Sequence, residues 1–150
     1  AYAPTLDRRV YTPQAVVNGT RGLVGSREAE LREAVDEALA TPPEVTLTVS
    51  ARRVGDTITV SYTARDLPEA GVVHVALVQR STATDVPRGE NRGRRLTHTN
   101  VVRAMETVTP GADSVRLGVP AGAEDLFVAA WAQEGETGRV LGLATAEPTR

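Results

Sequence analysis

One stretch of the sequence, RGENRGRRLTHTNVVR, gathers most of the side chains that could bind a ligand or take part in a reaction. Arginine side chains pair bidentately with carboxylate and phosphate groups, so an anion site is one chemistry that this stretch allows. The alternative is structural, with polar side chains bonding one another to hold a hairpin. Both hypotheses rest on Arg88, Gly89, Glu90, Asn91, Gly93, Arg94, Arg95, His98, Asn100 and Arg103.

The first half of this stretch has the composition of a loop between two strands. Four arginines and one glutamate lie between positions 88 and 95, which leaves a local charge of about +3 at neutral pH. Gly89 and Gly93 permit tight turns, and Asn91 is a residue type that hydrogen-bonds its neighbours within a turn. The sequence therefore predicts a structured hairpin loop whose arginines either bind an anionic group or pair with acidic side chains on the surface.

The second half has the composition of a strand. On a strand, His98, Asn100 and Val102 share one face. The structural hypothesis has His98 and Asn100 hydrogen-bonding the Gly-Glu-Asn segment of the loop and locking the hairpin. A metal ion would need more donors than one imidazole, so the sequence predicts no metal site here.

The other histidine, His74, lies in the apolar stretch GVVHVALVQR. It shares a strand face with Val72, Ala76 and Val78. A single histidine on such a face is typical of a buried or half-buried group with its own hydrogen bonds, so we expect a structural role for it.

The only tryptophan, Trp131, lies on a second apolar strand and shares its face with Phe127 and Ala129. Large aromatic side chains dominate protein cores. The pattern predicts that Trp131 fills the core of the β-rich part, with ligand stacking as the alternative.

Several chemistries are excluded by composition. The chain has no cysteine and no lysine, so it supplies neither a thiol nor a phosphate-binding loop with lysine. It contains no Gly-x-Ser-x-Gly nucleophile motif. A net charge of −2 and 3% aromatic residues argue against nucleic acid as a partner. We expect no cofactor, no membrane span and no catalytic constellation in this chain.

The first 41 residues predict a hairpin followed by a helix. Asn18-Gly19 is a strong turn signal between two apolar runs. Residues 26–40 have helical periodicity, with Ser26 as the expected N-cap and Leu31, Ala34, Val35, Ala38 and Leu39 on one face. Pro42-Pro43 ends this part and is the predicted linker.

After the linker the pattern changes to short alternating strands separated by Gly, Asp and Pro. Candidates begin at 45 and include 72–80, 98–108, 114–119, 126–134 and 140–145. About seven short strands with no helix between them predict an antiparallel β-sandwich. The expected fold class is α+β, mostly β, with one unit at 1–41 and a sandwich at 44–150.

Three segments of the sequence resemble a bacterial family catalogued as domain of unknown function 1223. They are VYTPQAVVNG, the VGS that opens a helix, and RGENRGRRLTHTNVVR. The resemblance covers the whole chain but only the later part of the family pattern. Complete members are described as secreted and thioredoxin-like, with a Cys-x-x-Cys-Pro motif upstream. The resemblance therefore implies that residues 1–41 are the C-terminal remnant of a thioredoxin-like domain, from a periplasmic or secreted protein.

The same resemblance assigns a place to two residues near the start. Pro13 would be the cis-proline that opens a strand beside the redox cysteines, and Thr12 would face that site. Thiol–disulfide chemistry would then depend on the missing half. The strands at 14–24 would also leave an incomplete sheet edge open to association.

Three functions remain open on the sequence. The chain is a non-catalytic part of a thioredoxin-like protein, or a sandwich module that recognises an anionic small molecule or protein through its arginine-rich loop. In the third hypothesis, the 88–103 motif only holds its hairpin together.

Overall fold

The computed structural model describes residues 13–108 and 111–150, most of which lie in strands. The elements are β1 (Gln14–Val17), β2 (Arg21–Val24), α1 (Glu28–Leu39), β3 (Thr46–Val54), β4 (Thr57–Arg65), β5 (Gly71–Asp85), β6 (Arg95–Val108), β7 (Ser114–Gly118), β8 (Leu126–Glu134), β9 (Val140–Ala146) and β10 (Pro148–Thr149). The predicted mostly-β class with antiparallel sheets is confirmed. The two residues of β10 differ, because they pair parallel to β3.

The strands form one two-stranded and two four-stranded sheets. Strands β1 and β2 pair with each other, the second sheet has the order β10-β3-β4-β7, and the third has the order β6-β5-β8-β9. The β1–β2 turn is the predicted one, with Asn18 and Gly19 at φ 47° and 75°, a region that these residue types enter with little strain. A Cβ atom on Gly19 would overlap the Gly138 carbonyl, so this turn packs directly on the β8–β9 loop.

The core lies between the two four-stranded sheets. Alternate residues of each strand face inward, because successive side chains on a strand point to opposite faces. The completely buried members are Ile58, Val60, Val73, Val75, Leu77, Leu117, Val128 and Ala130. Burying such apolar surface contributes about 25 cal/mol per Å², which makes this interior the main source of stability.

Helix α1 begins later than expected and is less buried. Its N-cap is Arg27 without a side-chain hydrogen bond, so the prediction of Ser26 was wrong. The Arg27 N–H donates to the Val24 carbonyl at 2.9 Å, which closes a turn before the helix can start. Of the predicted apolar face only Ala34 is buried, and Leu39 is 79% exposed. Within the described ranges, no helix is both long and apolar enough to cross a membrane.

Strands β5 and β6 are longer than predicted, at 15 and 14 residues. They continue to pair with each other beyond the end of the neighbouring strand β8. The connecting loop therefore shrinks to residues 86–94, and the second half of the 88–103 motif belongs to β6.

Trp131 is not in the core, which corrects the sequence prediction. The inward residues of β8 are Leu126, Val128, Ala130 and Ala132, all of which are buried. Trp131 is on the opposite face, where it pairs across the sheet with His74. The period of two shows which residues share a face but not which face is inward.

Candidate functional site: the arm of β5 and β6

Strands β5 and β6 extend from the third sheet as a two-stranded arm. β8 pairs with β5 only as far as Gln79 and Leu126. Beyond this point β5 and β6 pair only with each other, from Ser81 and Thr99 to Asp85 and Arg95. We call residues 81–99 the arm; its strands extend roughly 17 Å at the usual rise per residue.

The tip of the arm is closed by main-chain hydrogen bonds. The Val86 N–H donates to the Arg94 carbonyl at 2.9 Å, and the Gly93 N–H donates to the Val86 carbonyl at 2.8 Å. Gly89 and Gly93 have φ of 84° and 78°, values that glycine adopts without a steric penalty. The hairpin loop is therefore structured, and its main-chain hydrogen bonds and glycine turns give it this structure.

The guanidinium groups at the tip are exposed and have no acidic partner. Arg88, Arg92 and Arg94 form no ion pair with any residue that the structure describes. Arg95 lies 3.8 Å from Asp85, and both side chains are more than 70% exposed. Among the described residues, Arg21, Arg27, Arg32, Arg80 and Arg139 pair with carboxylates elsewhere, whereas Arg52, Arg65 and Arg116 do not. The tip therefore concentrates positive charge available to a partner.

The base of the arm is a distorted segment of β6. The pairing register shifts between Leu77 and Val78, which leaves Arg103 as the extra residue of a β-bulge. Asn100 has a φ of 52°, in the left-handed region. The Arg103 guanidinium donates to Gln79 Oε1 at 2.8 Å and to Thr82 Oγ1 at 3.3 Å. This side chain fastens the arm to the buried end of β5.

The remaining polar residues of the motif do not hold the loop together as expected. Glu90, Asn91, His98 and Asn100 are exposed, and within the described part their side chains form no hydrogen bond. His98 is opposite Thr82 on the neighbouring strand. A hydrogen bond would lock the hairpin effectively only if its donor and acceptor were buried. These positions are exposed to solvent, because no third strand covers the arm.

His74 is buried at 4% exposure, on the face opposite the core. Its ring stacks on Trp131 with centroids 5.1 Å apart, and Nδ1 is 2.8 Å from Thr107 Oγ1. Nε2 has no hydrogen-bond partner in the described part. Burial lowers the pKa of His74 from its ordinary 6.5, against the opposing effects of Glu136 and Gln133. A neutral, packed imidazole matches the structural role predicted from sequence.

The structure describes only one of the two residues assigned by family resemblance. Thr12 lies outside the described residues. Pro13 is exposed at the start of β1, and its carbonyl accepts a hydrogen bond from the Gly25 N–H at 2.8 Å. The role of Pro13 beside a redox site stays a prediction.

Sequence reasoning missed two features of this region. The His74–Trp131 stack joins residues 57 positions apart (131 − 74), and only strand pairing brings them together. The Arg103–Gln79 bond depends on a bulge that has no glycine or proline to mark it. No group of three or more histidine, cysteine or acidic side chains suited to a metal occurs among residues 13–108 and 111–150.

Comparison with known proteins gives a family and a fold. A crystal structure of a protein from Agrobacterium tumefaciens is similar with a TM-score of 0.61 and 20% identity, over 96% of this chain and 65% of that one. This likeness concerns the fold, and the chain spans less than two thirds of that structure. A DUF3823 family protein from Bacteroides ovatus gives a TM-score of 0.38 at 15% identity, covering 71% and 55% of the two chains.

No curated protein matches the sequence. The family model described as "Protein of unknown function (DUF1223)" matches residues 1–135. The chain therefore belongs to the DUF1223 family, whose function is not known.

Proposed function

We propose that this chain is a non-catalytic binding module that recognises a carboxylate-bearing protein partner through the tip of the arm. The observation that carries the proposal is the set of exposed guanidinium groups of Arg88, Arg92 and Arg94, which have no ion-pair partner in the described part. Arginine forks bind carboxylates bidentately, so each unpaired group is a ready donor. The arm extends beyond β8, which gives a partner access from several sides.

The rigidity of the tip supports the same function. Main-chain hydrogen bonds join Val86 to Gly93 and Arg94 across the start and end of the tip. A preorganised loop loses less conformational entropy on binding than a flexible one. Exposed charges also accelerate association with an oppositely charged surface, and the gain falls as salt screens the field.

The test is binding to immobilised poly-L-glutamate at low ionic strength. The double variant Arg92→Gln/Arg94→Gln should bind at least about tenfold more weakly. Each charge-assisted hydrogen bond that is lost contributes roughly 1.5–3 kcal/mol to the binding free energy. Arg27→Gln/Arg32→Gln is the matched control, because it removes the same charge from the N-cap and the body of α1, where both arginines are already paired. Equal weakening by both variants would reject the arm as the site.

We further propose, from the family resemblance, that residues 1–41 complete a thioredoxin-like domain in a longer periplasmic or secreted protein. The hairpin β1–β2 with α1 packed against it supports this reading, because two strands and one helix bury little surface alone. The sandwich at 44–150 would then present the arm to a partner of that domain. Reduction of insulin disulfides by a longer form with upstream cysteines, and not by this chain, would support the proposal; an inert longer form would refute it.

A further inference from the structure

The β10-β3-β4-β7 sheet has two chemically different faces. Its inward residues are apolar, including Ile58, Val60 and Leu117. Its outward residues are almost all hydroxyl-bearing or arginine, with Val54 as the apolar exception at one end. They are Thr46, Thr48, Ser50, Arg52, Thr57, Thr59, Ser61, Thr63, Arg65, Ser114 and Arg116.

Strand pairing arranges these side chains in rows across the sheet. Ser50, Ser61 and Ser114 form one row, since Ser61 pairs with both of the others. The next row is Arg52, Thr59 and Arg116 by the same pairing. Because neighbouring strands are about 4.8 Å apart, the two arginines flank Thr59 at a separation of roughly 10 Å.

The surface is grooved along these rows. One depression of about 410 Å³ is lined by Thr48, Ser50, Ser61 and Ser114, among others. A second, of about 430 Å³, is lined by Ser50, Arg52, Thr59, Ser61 and Thr149, among others. The two depressions share Ser50 and Ser61 and therefore adjoin, and we call them together the groove. Arg52 lines the second depression, whereas Arg116 lies in the same row outside both linings.

The charge of this face is positive. Arg52, Arg65 and Arg116 form no ion pair in the part of the chain that the structure describes. The strands present no outward carboxylate, and the single acid on the groove, Asp113, lies at one end of it. Arg52 and Arg116 have no counter-charge and flank Thr59, and the row of serine hydroxyls lies beside them. This arrangement is complementary to a ligand that carries both carboxylates and hydroxyls.

We infer that this groove binds an extended acidic polysaccharide, with Arg52 and Arg116 pairing with carboxylates and the Ser50–Ser61–Ser114 row hydrogen-bonding sugar hydroxyls. A single-stranded nucleic acid is disfavoured as occupant, because no aromatic side chain points outward from these strands to stack on bases. The site is separate from the arm, which belongs to the other four-stranded sheet.

The experiment measures binding of the full chain to immobilised polygalacturonate by biolayer interferometry. Arg52→Gln/Arg116→Gln should weaken binding at least about tenfold. Ser61→Leu keeps every charge but fills the point where the two depressions meet, and it should also weaken binding. The arm variant Arg92→Gln/Arg94→Gln removes the same charge elsewhere and should stay within about twofold of the wild type. Fully methyl-esterified polygalacturonate should not bind.

Three results would overturn the inference. The first is no binding of the wild type to polygalacturonate. The second is equal weakening by the groove and arm double variants, which would mean attraction by overall charge. The third is equal affinity for poly-deoxythymidine, which would mean that any polyanion is accepted. Matching melting temperatures among the variants would show that each one is folded.

Discussion

The two ends of strand β5 show how the same secondary structure serves opposite purposes. From Gly71 to Gln79 every residue is buried, and here β5 is flanked by β6 on one side and β8 on the other. From Arg80 to Asp85 the residues are exposed apart from the half-buried Thr82, because β8 has ended. Burial is therefore set by the neighbouring strands, and the exposed half is free to carry a function that the buried half could not.

The two histidines belong to these two environments. His74, in the buried half, is stacked on Trp131 and close to Thr107. His98, on the arm, is exposed and faces only Thr82. One residue type thus has a packing role at the base and is solvated on the arm.

The largest difference between base and arm should appear in leucine truncation. Leu77→Ala removes a completely buried side chain from the core and should cost about 2–5 kcal/mol of unfolding free energy. Leu96→Ala makes the same change at a half-buried position on the arm, and it should lower the free energy of unfolding by less than about 1 kcal/mol. Urea denaturation followed by Trp131 fluorescence measures both, and equal losses would contradict the distinction.

The histidines provide the second comparison. His74→Ala should lower the free energy of unfolding by roughly 1–3 kcal/mol, because it leaves the Thr107 hydroxyl and the Trp131 ring without their contact. His98→Ala should change it by less than about 0.5 kcal/mol, since the position is exposed. A larger loss of unfolding free energy in His98→Ala would support the locking role predicted from the sequence.

The lowered pKa of His74 adds a pH dependence with a defined sign. The unfolded chain takes up a proton near pH 6.5 while the folded chain resists it, so stability falls as the pH drops below this value. Thermal unfolding from pH 7.5 to 5 should show a smaller decline for His74→Gln than for the wild type. An equal decline in His74→Gln and the wild type would show that His74 is not the source of the pH dependence.

The junction between base and arm should give an intermediate effect. Arg103→Met keeps the aliphatic stem but removes the bond to Gln79, whose side chain is mostly buried. The loss should be about 1–2 kcal/mol, since the Gln79 oxygen is left without its donor. Arg92→Met at the tip should have no measurable effect on chemical denaturation. No loss for Arg103→Met would show that the bulge is held by the backbone alone.

The smallest global effect is expected at the tip. Gly93 has a φ of 78° with open space around it, so Gly93→Ala strains the loop locally by roughly 1–2 kcal/mol. Amide hydrogen exchange within residues 86–94 should accelerate about tenfold, while global unfolding changes by less than about 0.5 kcal/mol. A comparable loss of global stability would mean that the arm folds as one unit with the core.

Residue patterns in the sequence determined the class of each element but not the packing of every face. The Asn18-Gly19 turn, the helix before Pro42-Pro43 and the alternating strands follow from local preferences that operate whatever the surroundings. The sequence also marked residues 88–103 as an arginine-rich hairpin, but only the structure shows that Arg88, Arg92 and Arg94 have no ion-pair partner among the described residues. It could not place Trp131, because alternation leaves the inward face undecided.

Tertiary structure decided which of these residues are buried and which meet. His74 is buried on β5, which lies between β6 and β8, whereas His98 is exposed on the edge strand β6. Strand pairing also places Arg52 and Arg116 on either side of Thr59, although 64 positions separate the two arginines (116 − 52). Local sequence fixes backbone preference residue by residue, whereas burial and proximity depend on where distant strands begin, pair and end.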